Sequence, residues 1–170
     1  MGTAESPVRI GTTADRGCLI QIIGRGTMQF SPSVEGLVSQ ALTRDSEIPV
    51  AIDLNACTYL DSTFLGCLFG LYRRYVQKAQ GAPRLHFYAS AKRIHDLFGP
   101  LHLDKIFHAD EGPVPPPAGE MLPLEASPAD RKAVSKHVME CHRRLAEMDT
   151  PARAAFTKIA DLMEAELAKE

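Results

Sequence analysis

Apolar residues change their spacing repeatedly along the first hundred positions, and each change predicts a new element. Val8 to Thr12 and Cys18 to Ile23 have the length and composition of strands, and Asp15-Arg16-Gly17 between them supplies turn chemistry, so the chain is expected to open on a hairpin. Gly24-Arg25-Gly26-Thr27 then reads as a simple bend. It lacks the third glycine and the lysine of the nucleotide-binding loops. From Ser33 to Leu42 the residues Val34, Leu37, Val38, Ala41 and Leu42 recur at three- and four-residue steps, which predicts a helix with Ser31-Pro32 at its start. Ile48 to Leu54 is a near-continuous apolar run, as expected of a strand inside a sheet.

The pattern next passes through Tyr59-Leu60-Asp61-Ser62-Thr63-Phe64-Leu65-Gly66 into a helix expected to reach Gln80. At about 100° per residue, Phe64, Leu65, Cys67, Leu68, Phe69, Leu71, Tyr72, Tyr75 and Val76 cover more than half of its circumference, so it must be largely buried. The remaining strip holds Gly66, Gly70, Arg73 and Gln77. A glycine inside a helix costs roughly 0.5–1 kcal/mol against alanine, so two of them call for close approach, either within the fold or by a partner. Arg84 to Tyr88 reads as a strand, Ala91 to Phe98 as a short helix stopped by Gly99-Pro100, and Leu101 to Phe107 as a last turn or edge strand.

Residues 111–126 are a proline-rich linker. Pro113, Pro115, Pro116 and Pro117 predict an extended spacer there. Beyond it, Ser127-Pro128-Ala129-Asp130 predicts a helix N-terminus, with Ser127 as cap and Asp130 at the third position. Val134, Val138, Cys141, Leu145 and Met148 then form one apolar face. Thr150-Pro151 restarts the pattern, with Phe156, Ile159, Met163 and Leu167 on a second face. Two amphipathic helices so closely linked predict an antiparallel hairpin. Its apolar faces need cover from each other, from the first domain, or from a second copy of the chain in a homodimer. The expected fold is therefore α/β: a mixed sheet of four to five strands flanked by helices over residues 1–110, the linker 111–126, and a helical hairpin over 127–170.

Composition narrows the function. Nineteen basic and 21 acidic residues, mixed along a chain of 170 for a net charge of −2, leave no electrostatic footprint for nucleic acid or an anionic membrane. No apolar run approaches the about 20 residues that span a bilayer, and Met1 to Arg9 has no cationic segment leading into an apolar one, so a cytoplasmic protein without membrane insertion is expected. Cys18, Cys57, Cys67 and Cys141 stand singly in apolar patterns, as free thiols do. His137 and Cys141, four apart on one helical face, amount to half a zinc site with no second pair. Ser62 lacks the G-x-S-x-G turn of a hydrolase nucleophile, and the pair Asp53 and Asp61 has no convergent histidine or metal motif. A non-enzymatic protein without cofactor is expected.

Val50-Ala51-Ile52-Asp53-Leu54, followed by Asp61-Ser62-Thr63-Phe64-Leu65-Gly66 and the Leu68 to Arg74 helix, resembles the STAS domain of bacterial anti-sigma factor antagonists, with Phe64 where that family usually has glycine. The likeness spans about Val8 to Asp110. It implies a mixed sheet flanked by helices, and Ser62 as phosphoacceptor with Thr63 as second choice. The implied partners are an anti-sigma factor that is also a serine kinase and a phosphatase that restores the serine. Asp61, Ser62, Thr63, Phe64, Gly66, Gly70 and Arg73 are the expected partner-binding residues, and the implied role is regulation of transcription by partner switching. The alternative is a constitutive STAS-type subunit of a lipid transporter or signalling scaffold. In that case Ser62 is only a helix cap. Independently of any family, a hydroxyl where a strand hands over to a helix N-terminus meets unpaired amides and a positive dipole end, both favourable to phosphate.

Overall fold

Ile20, Ile22, Val50 and Ile52 lose all solvent contact, and they belong to the strands at the centre of the sheet. The structure, a computed structural model, describes residues 5–44, 47–126 and 130–170. Strand β1 (Val8–Thr12) pairs antiparallel with β2 (Cys18–Ile22), giving the expected hairpin. Strand β3 (Gly24–Gly26) and helix α1 (Ser31–Arg44) follow, and then β4 (Val50–Asp53), which lies parallel to β2 with Ile20 opposite Ile52. After β5 (Cys57–Leu60) and helix α2 (Ser62–Tyr72) comes β6 (Leu85–Tyr88), parallel to β4. Helix α3 (Ala91–Phe98) leads through a tight turn at Gly99–Leu101 to the linker. Strand β7 (Leu122–Pro123) adds to the free side of β1, for a sheet order of β6-β4-β2-β1-β7. Helices α4 (Arg131–Ala146) and α5 (Arg153–Leu167) pack on each other as a pair.

The mixed α/β architecture agrees with the sequence reading, while several elements differ in detail. Gly24–Gly26 is not a bend but a strand paired in parallel with β5, and β5 itself was not expected. Both are too short for a period to show, and β5 buries its two end residues rather than alternate ones. The long helix stops at Tyr72 and widens into a π-helical turn over Arg73–Gln77. Leu101 to Phe107 contains turns, not a strand, with His102 in the left-handed region at φ 57°. Helix α4 starts at Arg131, with Asp130 as its cap accepting from the Ala133 amide at 2.7 Å, so Asp130 is not its third residue. The expected cap Ser127 lies outside the described residues.

Two packing features position the site. Tyr72, Phe87, Phe98 and Phe107 form an aromatic cluster, with Phe98 stacked on Phe107 at 4.2 Å, and this locks the end of α2 to β6 and α3. The linker runs extended along β1: Ala118 donates to the Thr12 carbonyl and Leu124 to that of Val8, each at 2.8 Å. Ser6 Oγ reaches the Leu124 carbonyl at 2.7 Å, so the chain is held at the sheet edge as far as Leu124.

Candidate functional site

Asp61 organises the junction between β5 and α2. Its backbone is extended (φ −74°, ψ 167°), one carboxylate oxygen accepts from the Phe64 amide at 2.8 Å, and the other accepts from the Met28 amide at 2.7 Å. Its own amide donates to the Gly26 carbonyl at 3.0 Å. Asp61 is therefore the helix cap and also the tie between α2 and the loop after β3. Capping needs one side-chain oxygen, so Ser62, now the first residue of the helix, keeps its hydroxyl for something else.

That hydroxyl lies 3.1 Å from Nε2 of His142 on α4. His142 is only 8% exposed, its ring leans on Phe156 of α5, and among the described residues its Nδ1 has no hydrogen-bond partner. Burial pushes its pKa below the usual histidine value, partly offset by the Asp61 carboxylate, so the ring is neutral at pH 7. A Ser–His pair at this distance has the first half of a nucleophile's geometry. The second half, an acid orienting the other ring nitrogen, is missing among the described residues.

The other expected site residues divide between core and interface. Thr63 is 3% exposed and Phe64 is fully buried, so neither offers a surface in this conformation. The Phe64 ring lies against Gly26, where an added Cβ would come within 2.6 Å of Leu60 and 3.2 Å of Phe64. The bulk of Phe64 is thus accommodated by a glycine in β3. Gly66 and Gly70 face α4. A Cβ on Gly66 would collide with the backbone carbonyl of Cys141, and one on Gly70 would meet Arg144 Cδ at 2.7 Å. Arg73 donates to Glu147 at 2.6 Å. Ser62, Gly66 and Gly70 of α2 and Arg73 just beyond it form a single strip, and His142, Cys141 and Arg144 of α4, with Glu147 at its C-terminal end, cover it.

Beside this contact a second polar group ties α4 to α1. Glu35 receives both Arg144 terminal nitrogens at 2.6 and 3.2 Å and faces His137 Nδ1 at 3.4 Å. His137 Nε2 lies 2.8 Å from Ser31 Oγ and 3.5 Å from Cys141 Sγ. The donor atoms of Glu35, His137 and Cys141 lie within 4.8 Å of one another, which adds a third candidate ligand to the pair His137 and Cys141. The positive charge such a set would take is already supplied by the Arg144 guanidinium. Burial holds the Cys141 thiol protonated, with its pKa raised to about 12, and lowers that of His137 against the opposing pull of Glu35. The group behaves as an ion pair with a neutral histidine. Asp53, far from forming a couple with Asp61, accepts from the amide and side chain of Asn55 at 2.9 Å each and shapes the turn after β4.

Sequence reasoning missed His142, Glu35, Arg144 and Glu147. For His142 a signal was present, since it shares the helical face of Val138 and Leu145. The other three are charged residues whose partners lie far away in sequence.

On the open side of Ser62 is a shallow depression of about 230 Å³, lined in part by Tyr59, Leu65, Leu97 and Pro100. Tyr59 is exposed and carries the Arg25 guanidinium 4.0 Å over its ring, and Met28 and Ile23 are exposed nearby in sequence and structure. No helix among the described residues is long and apolar enough to cross a membrane. Compared with known proteins, the chain matches no family model and no curated relative.

Proposed function

We propose that this chain is a STAS-like binding protein of the anti-sigma factor antagonist type, which regulates transcription in the cytoplasm by exchanging partners according to the phosphorylation of Ser62. The observation that carries the reading is the division of labour at the α2 N-terminus: Asp61 does the capping, and the Ser62 hydroxyl is left over in the first turn. A phosphate on that oxygen would stand at the positive dipole end of α2, where negative charge is favoured. It would also place about −1.5 to −2 charges beside Asp61, on the surface a partner would use. Binding would change while the fold persists. A coupling of 1–3 kcal/mol, typical of effectors, changes affinity by about 5- to 150-fold. The partners in this reading are a serine kinase that is also an anti-sigma factor and a phosphatase that returns Ser62 to its hydroxyl form.

A constitutive subunit of a larger complex is the second reading, and it is favoured by the bond between Ser62 and His142, which gives the hydroxyl a structural use. Affinity purification of the full chain from its native cell, with phosphosite mapping, separates the two. The switch predicts phosphate on Ser62 and a partner that is lost from the Ser62→Asp variant but retained by Ser62→Ala. Equal recovery of the partner by both variants would end it.

A further inference from the structure

We infer that the α4–α5 hairpin is a self-supplied, removable occupant of the α2 face, and that it holds the half-buried Ser62 hydroxyl against His142 until it lifts. The inference gives the proposed switch a second control, but the closed contact stands on geometry alone. Four positions in line, Ser62, Gly66 and Gly70 of α2 and Arg73 just after it, are met by His142, Cys141 and Arg144 of α4 and by Glu147 at its end. Gly66 lets the α4 backbone approach at Cys141, Gly70 leaves room for the Arg144 side chain, and the hydroxyl at the head of the line is bonded to His142.

Three observations make the occupant removable. First, although Cys141, Leu145, Ala146 and Phe156 pack into the main core, the contact also carries the polar pairs Ser62–His142, Ser31–His137, Glu35–Arg144 and Arg73–Glu147, all of which regain partners from water on opening. Second, the docked state buries His142 Nδ1 with no partner among the described residues, a penalty that opening relieves. Third, the covalent path is arranged for it. The chain is pinned to β1 as far as Leu124, and α5 leans on α4, burying Phe156 and Ala160 while Leu162 stays exposed. The pair can leave together without unpairing the sheet. Opening exposes Val138, Cys141 and Leu145, so the open form is a minority until something covers them.

The test uses the full chain carrying Ser62→Cys, labelled with N-ethylmaleimide and read by peptide-resolved mass spectrometry, together with amide hydrogen exchange. Adding Gly66→Ala forces a backbone collision with Cys141 that no rotamer relieves, while it favours the α2 helix itself. The expected result is labelling at position 62 at least about tenfold faster, with exchange over α4 and α5 accelerated alike and that of β2 and β4 unchanged. Arg73→Ala with Arg144→Ala, which removes two ties and inserts nothing, should give a rise in the same direction. Unchanged labelling in both backgrounds overturns the inference. So does acceleration of β2 and β4 in step with α4, because the hairpin would then be an integral part of one cooperative core. Neither readout involves phosphate. If Ser62 is never phosphorylated in the cell, the switch fails and the removable occupant stands; if Ser62 is phosphorylated but the chain exchanges as one unit, the reverse holds.

Discussion

Ser62 Oγ and His142 Nε2 lie 3.1 Å apart across 80 residues of sequence, and the bond joins the first turn of α2 to the C-terminal half of α4. The His142 ring is held neutral by burial. Both interface histidines, His137 and His142, are held below the usual value of 6.5 by burial, against the opposing carboxylates of Glu35 and Glu140 for His137 and of Asp61 for both; Arg144 reinforces the lowering at His137. A released hairpin binds protons that the docked one refuses, so docking is full above pH 6.5 and weakens as pH falls below it. Hydrogen exchange over α4 should therefore quicken from pH 7 to pH 5, after correction for intrinsic rates. The acid-induced part should shrink in a His137→Gln, His142→Gln double variant.

The two glycines of α2 should respond differently to alanine. At Gly66 the obstacle is backbone, and the expected net loss is about 1–3 kcal/mol even after the gain in helix propensity. At Gly70 the obstacle is the Arg144 side chain, which can shift, so the loss should stay below about 1 kcal/mol. Urea denaturation of the two single variants checks the order.

Glu35 and Arg144 are mostly buried and doubly hydrogen-bonded to each other. Truncating either strands the other, so Glu35→Ala or Arg144→Ala should cost about 2–4 kcal/mol, whereas replacing both by methionine should cost much less than the sum. A double-mutant cycle on thermal unfolding measures the difference.

Phe64 fills space that Gly26 leaves open. Placing glycine at position 64 should cost about 3–5 kcal/mol, by the arithmetic of emptied core sites. Gly26→Ala should be destabilising in the natural background and less so alongside Phe64→Leu, because the Cβ at position 26 then meets a smaller neighbour. Chemical denaturation of the four variants shows whether the two sites couple.

The architecture could be read from the chain where a period was long enough to repeat. Val34 to Leu42 and Phe64 to Tyr72 announced their helices, and Val50 to Leu54 its strand, because each covers two or more turns or pleats with one kind of residue. The junction Asp61-Ser62 was legible for the same reason, as the point where one period stops and another starts. The pairing of β3 with β5 was not, since a three-residue strand with two glycines has no pattern. Nor was the seat of α4. An apolar stripe such as Val138, Cys141 and Leu145 states that a helix needs cover, but which face provides it depends on long-range fit, here two glycines four residues apart, one against the Cys141 carbonyl and the other against the Arg144 side chain. The roles of Asp61 and Ser62 were separable only once the amides of Phe64 and Met28 were seen to converge on one carboxylate.

The stitching of Leu122 and Leu124 to β1 carries a last consequence. It fixes the chain as far as Leu124, seven positions before α4 begins, and so sets the hairpin's effective concentration at the α2 strip, on the order of millimolar for so short a connection. Any external ligand of that strip starts at a disadvantage equal to the ratio of this figure to its own concentration. Contacts the hairpin does not make, such as those offered by Tyr59, Met28 and the depression beside Ser62, are where a successful competitor recovers the ratio. Selectivity among ligands is thus set at the rim of the strip, by residues that α4 leaves uncovered.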